Sequence, residues 1–147
     1  MRRWLAGILM STLTLGVQAE VIDIDNAELA RLMEQKVPII DIRTAPEWQE
    51  TGVVPGSHLL TFFDEQGRAD PAAWLGKARH IAGPEQPVIL ICRSGNRTRA
   101  AGQFLSEKAG YRKVYNVRSG IRAWIAEGRV RQSSGDALAS CRAKKTC

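Results

Sequence analysis

The chain has 147 residues, with 21 Lys or Arg against 15 Asp or Glu, a net charge of +6 and an isoelectric point near 9.7. That length holds one domain around one core. The basic side chains are dispersed, with no Lys/Arg run interleaved with aromatics, which excludes a nucleic-acid binder; the surplus suits attraction of small anions.

The first nineteen residues read as a secretory signal peptide. Arg2 and Arg3 form a positive start, Trp4 to Val17 an apolar stretch, and Val17-Gln18-Ala19 a small-residue cleavage site before Glu20. The apolar stretch is too short to span a bilayer, and no cysteine follows it to carry a lipid. The residues flanking the twin arginines fit the twin-arginine route poorly. The expected location is the bacterial periplasm, with no membrane attachment after cleavage. Without Arg2 and Arg3, 19 basic side chains face 15 acidic ones, a net charge of +4.

Short apolar strands then alternate with helical segments, the pattern of an α/β domain on a parallel sheet. Val21 to Ile24 is the first expected strand. Asp25 caps a helix with Glu28 three residues on, and Leu29, Leu32 and Met33 form its apolar face. Pro38 to Ile42 is a second strand. Thr44 and Glu47 form a capping box on a short helix, and Gly52 to Gly56 is a loop. Ser57 to Leu60 is a third strand. Asp70-Pro71 opens a helix that Gly83-Pro84 closes. Val88 to Ile91 is the fourth strand and Thr98 to Ala109 the next helix. Val114 to Val117 is the fifth strand, and Gly120 to Glu127 the last helix. The expected domain is residues 20–132, and Ser133-Ser134-Gly135 begins an expected flexible tail, residues 133–147.

That tail carries Cys141 and Cys147, and the third cysteine is Cys92. In an oxidising compartment three cysteines suggest one pair and one free thiol. A small local disulfide between Cys141 and Cys147 is one state. A redox role toward Cys92, and intermolecular or metal use, are others. Two cysteines without nearby histidines make a poor zinc site, and neither a metal nor an organic cofactor is expected.

The segment Cys92-Arg93-Ser94-Gly95-Asn96-Arg97-Thr98-Arg99 holds the chemistry. It places a cysteine where a buried strand ends and a helix begins. The dipole and free N–H groups of a helix start favour an anion, and three arginines crowd the same residues. Each effect favours thiolate over thiol, which marks Cys92 as a nucleophile. Gly95 lets the backbone turn close to the sulfur. Arg93 and Arg97 are candidates to hold an anionic substrate, although one of them could brace the loop through Asp41 or Glu47. Ser94 and Thr98 can donate hydrogen bonds or cap the helix, and Asn96 lies within the same cradle. Asp41 and Arg43 flank a strand end as loop braces. His58 and His80 lie in no ligand-spaced motif, and Trp48, Trp74 and Trp124 are packing anchors.

This loop resembles the active-site loop of rhodanese-type sulfurtransferases. Asp41-Ile42-Arg43, Glu47-Trp48, Gly52 and Pro55-Gly56 resemble an early stretch of that family. Asn116-Val117, Gly120-Ile121, Trp124 and Gly128 resemble a late one. The likeness runs from Val21 to Arg131. It departs at Val53, where the family often carries a histidine, and at Ser119, where it usually carries a glycine. The resemblance implies a single rhodanese-like domain, a central parallel five-stranded sheet with helices on both faces. It implies transfer of a sulfane sulfur from thiosulfate to cyanide or a thiol through a persulfide on Cys92, with Arg93, Ser94, Gly95, Asn96, Arg97 and Thr98 around the substrate. Cysteine phosphatases place an arginine six residues after the cysteine; that position here is Thr98, so the loop is one residue short for a tetrahedral oxyanion. A persulfide carrier for a protein partner, a thiol redox protein and a non-catalytic binding module are the alternatives. Nothing in the sequence sets the oligomeric state, for which a monomer is the default.

Overall fold

A computed structural model describes residues 19–147. The expected leader therefore lies outside the described residues, apart from Ala19.

Five strands, β1 (Glu20–Ile24), β2 (Ile39–Asp41), β3 (His58–Leu59), β4 (Val88–Ile91) and β5 (Lys113–Val117), form one parallel sheet in the order β1-β5-β4-β2-β3. The helices are α1 (Asn26–Glu34), α2 (Ala45–Thr51), α3 (Pro71–Ala78), α4 (Asn96–Lys108), α5 (Gly120–Ala126) and α6 (Ser134–Ala143). Strand β4 is central and wholly buried, which is why it reads as an unbroken apolar run.

Successive strand residues face opposite sides, and the core divides accordingly. Val88, Leu90 and Cys92 pack with Trp74 of α3 and Ala101 and Leu105 of α4. Ile89 and Ile91 pack with Leu29 and Leu32 of α1 and Ile121 and Trp124 of α5. The sheet is therefore covered on both faces, as the resemblance implies. Trp48, Trp74 and Trp124 are buried anchors. Trp74 Nε1 donates to Leu60 O at 2.9 Å and Trp124 Nε1 to Val130 O at 2.8 Å.

Element boundaries differ from the sequence reading in two informative places. Helix α3 ends at Ala78, before Gly83-Pro84, because the chain leaves it through successive tight turns over Arg79 to Ala82. Helix α4 begins at Asn96, two residues before Thr98, because Gly95 takes a left-handed conformation (φ +90°) and supplies the cap position.

The expected flexible tail is not one. Residues Ser134 to Ala143 form α6, capped by Ser133, whose Oγ accepts the Asp136 N–H at 3.1 Å. The Ser-Ser-Gly run is thus a helix start rather than a linker. Ala137 and Cys141 are buried, and Ala137 packs with Trp48, Val53 and Leu59. The helix covers the outer edge of the sheet at β3, which would otherwise stand open. Val53 and Gln132 exchange backbone hydrogen bonds, each at 2.9 Å, and bind the tail's root to the domain. Val53 stands where the family often carries histidine, and here it is a fully buried packing residue. A disulfide joins Cys141 to Cys147, with Cα atoms 5.5 Å apart, and leaves Cys92 as the free cysteine.

Candidate active site

Cys92 follows the last residue of β4 and is 1% exposed. Its side chain continues the alternation of Val88 and Leu90 and so enters the face covered by α3 and α4. The chain must then turn at once into α4. Gly95 makes the turn, and only glycine fits. A Cβ there would lie 2.1 Å from the carbonyl oxygen of Arg118. The Gly95 N–H donates to Cys92 Sγ at 3.1 Å. The N–H groups of Asn96, Arg97 and Thr98 occupy the first turn of α4, where no intrahelical acceptor exists.

Helix α5 braces the loop from behind. The N–H of Ile121 donates to Cys92 O at 2.9 Å, and that of Arg122 to Arg93 O at 3.2 Å. Peptide planarity sets each N–H opposite its own carbonyl, so tying these two carbonyls to α5 turns the Arg93 and Ser94 N–H groups away from it. Gly120, at φ +59°, permits this contact: a Cβ would lie 2.3 Å from the carbonyl of Arg93. Ser119, in place of the family's usual glycine, keeps an ordinary φ of −101° at the helix start.

The arginines divide into braces and free groups. Arg97 forms a two-point pair with Glu47 (Nη1–Oε2 2.8 Å, Nη2–Oε1 2.6 Å), the bracing contact named above as the alternative to holding substrate. That pairing holds the Glu47 carboxyl down to about 2, helped by the Thr44 N–H, against a desolvation cost from its partial burial. Arg43 and Asp41 form a buried pair at 2.8 Å, and Arg43 also donates to Thr51 Oγ1 and Gly52 O. These contacts fix α2 under the loop. Arg93 is exposed and lines a cavity of about 110 Å³ with Arg122, Arg43, Glu47, Ile121 and Ile125. Ser94 faces a neighbouring hollow beside Arg118 and Arg122, and Asn96 is exposed.

Thr98 is fully buried, with its Oγ1 3.3 Å from Cys92 Sγ. The same hydroxyl donates to Asn116 Oδ1 at 2.5 Å, and Asn116 Nδ2 donates to Asp23 Oδ1 at 2.7 Å. The sequence reading gave no chemical role to Asn116, Asp23, Arg118 or Arg122. A signal for Asn116 was available: it occupies an inward position of β5, in step with Val114, where an apolar side chain is the rule.

This geometry is a buried thiol at a helix start that accepts the Gly95 N–H, with no histidine among its hydrogen-bond partners in the described residues. Residues 25–127 match the family described as the rhodanese-like domain. The chain belongs to the rhodanese-like domain family. It is 31% identical over 98 residues to the thiosulfate sulfurtransferase GlpE of Pseudoalteromonas translucida, covering 67% of this chain and 82% of that protein. It is 28% identical over 111 residues to thiosulfate sulfurtransferase 18 of Arabidopsis thaliana, covering 72% and 79% respectively. A rhodanese-related protein of Thermoplasma volcanium has a similar structure (TM-score 0.57, 27% identity, 74% of this chain and 95% of that one). The polysulfide-sulfur transferase of Wolinella succinogenes shares the fold at a TM-score of 0.60 and 21% identity, over 80% of this chain and 82% of that one. The rhodanese-like chain is thus of the sulfurtransferase family, with a sulfur donor and a sulfur acceptor as its substrates.

Proposed function

We propose that this protein is a thiosulfate sulfurtransferase, of the thiosulfate:cyanide type, that carries sulfane sulfur on Cys92. The observation that carries the reading is the Gly95 N–H on a buried Cys92 Sγ at the start of α4. In the first half-reaction the Cys92 thiolate attacks the outer sulfur of thiosulfate. A new S–S bond forms, the S–S bond of thiosulfate breaks, and sulfite leaves with the electron pair. The enzyme keeps the persulfide anion Cys92-S-S⁻. In the second half-reaction cyanide attacks the outer sulfur, thiocyanate leaves, and the thiolate returns. Backbone donors around the loop hold the anionic sulfur, and Arg93 is placed to meet the doubly charged donor.

A second reading is favoured by one observation. Arg93, Arg118 and Arg122 are exposed beside the loop, and none makes an ion pair among the described residues. Such a rim suits delivery of sulfur to the thiol of an acidic protein partner. The proposed compartment is the periplasm, where the mature chain begins at Glu20.

Steady-state kinetics with thiosulfate and cyanide test the proposal. Parallel double-reciprocal lines with thiocyanate as product are expected. Intersecting lines, or no thiocyanate, would overturn it, and turnover with a protein thiol alone would select the carrier. N-terminal sequencing of the exported chain tests the compartment.

A further inference from the structure

The geometry points to Asp23 and Asn116 as positioning residues that lock the Thr98 hydroxyl as an acceptor toward Cys92 Sγ. What each group can donate decides the direction of the chain of hydrogen bonds. Asp23 and Asn116 are direct neighbours across the β1–β5 pair. The Asn116 amide, together with Arg99, holds the Asp23 carboxyl below the usual carboxylate range, so at neutral pH it only accepts. It therefore takes the amide NH₂ of Asn116 at 2.7 Å. That fixes the amide with its oxygen toward Thr98. An amide oxygen also only accepts, so the single hydroxyl proton of Thr98 goes to Asn116 at 2.5 Å. Only lone pairs of Thr98 Oγ1 remain for Cys92 Sγ, 3.3 Å away.

A surface carboxylate thus decides the direction of a buried hydroxyl. Asn116 and Thr98 are each 0% exposed, so no water can reorient the chain between them. The consequence bears on the charge of the sulfur. A neutral Sγ donates to Thr98 as a thiol, or lies beside it as the inner sulfur of a persulfide. An anionic Sγ faces lone pairs there and finds donors only on the loop backbone, as at Gly95. The lock therefore adds no hydroxyl donor to the backbone donor at the helix start. It also favours the loaded cysteine, whose charge sits on the outer sulfur, over the empty anion.

Other charged groups surround the loop. Arg97 and Arg99 lie on α4, Glu47 on α2, the Asp41–Arg43 pair at the end of β2, Arg93 in the loop itself, Arg118 just before α5 and Arg122 on it. None of these hydrogen-bonds to Thr98 Oγ1 or Asn116 Oδ1. The inference rests on Cys92 being the reactive thiol. Its test reads alkylation, not sulfur transfer, so it is independent of whether thiosulfate is the donor.

The test is the pH profile of iodoacetamide alkylation of Cys92 in the full chain, for wild type and Asp23→Asn. The amide that replaces the carboxylate can donate as well as accept, so the Asn116 amide can turn over and release the Thr98 proton to the sulfur. The expected result is a profile moved to lower pH, with alkylation several-fold faster on its acid side. The same substitution in a Thr98→Val background should produce no such shift, and Thr98→Ser should restore it. High salt, which screens a partly exposed charge at Asp23, should leave the shift in place. An unmoved profile in Asp23→Asn would overturn the lock. So would a shift that persists without the Thr98 hydroxyl or disappears at high salt, because either is plain charge removal.

Discussion

Arg97 on α4 and Glu47 on α2 grip each other through both terminal guanidinium nitrogens, 50 positions apart in the chain. The pair ties the helix that begins under Cys92 Sγ to the one beside it. It also occupies Arg97, whereas Arg93 makes no ion pair among the described residues.

Glu47→Gln should loosen the Cys92 loop and lower sulfurtransferase activity more than it lowers stability. The carboxyl sits at about 2 in the folded chain against 4.5 in an unfolded one, so its contribution is complete above about pH 4.5. It is lost as pH falls toward 2. A stability loss on the order of 2 kcal/mol is expected at pH 7, smaller than the full shift implies because both partners keep some solvent contact. Denaturant melts at pH 7 and pH 3 check it: the wild type–mutant gap should narrow in acid.

Gly95→Ala and Gly120→Ala should each abolish activity. Each places a Cβ within 2.3 Å of backbone across the α5–loop contact, and each forces a left-handed residue to carry a side chain. A destabilisation on the order of 2–4 kcal/mol is expected from overpacking and backbone strain together. Thermal melts beside activity assays check both. Gly110→Ala, also at positive φ but with nothing near its Cβ, is the control for strain alone.

Asp41→Asn should be among the most destabilising conservative changes in the chain. It leaves the buried Arg43 guanidinium, 1% exposed, without its counter-charge. A cost of about 3–5 kcal/mol is expected, read by denaturant unfolding.

Reducing the Cys141–Cys147 disulfide should loosen α6 without unfolding the sheet. The closed loop is short, with a separation of 6, and its chain-entropy contribution is roughly 2 kcal/mol, confined to the end of the chain. Hydrogen exchange should quicken over residues 134–147 and stay slow in β4 and β5. Uniform loss of protection would contradict this local role.

The buried strand, the helix after it and the glycine between them were legible because each has a local cause, although the helix starts two residues earlier than its sequence suggested. The Cys141–Cys147 disulfide was one of several states the sequence left open, and the structure selects it. The docking of α6 was not legible. Its apolar face is only Ala137, Leu138 and Cys141, and what makes it fold is the open edge at β3, a tertiary fact. The roles of Asp23 and Asn116 depend on strand register, which sets β1 beside β5 across nearly the whole chain, and no local signal carries that. The division of the arginines into braces and free groups depends on α2 lying beside α4 in the same way.

The central claim is sulfur carried on Cys92, and the most direct measurement is intact mass spectrometry after thiosulfate treatment, beside Cys92→Ser. The account predicts a gain of one sulfur atom, removed by cyanide and absent from the variant. No gain on a chain whose Cys92 thiol is verified free, or an equal gain in the variant, would contradict it.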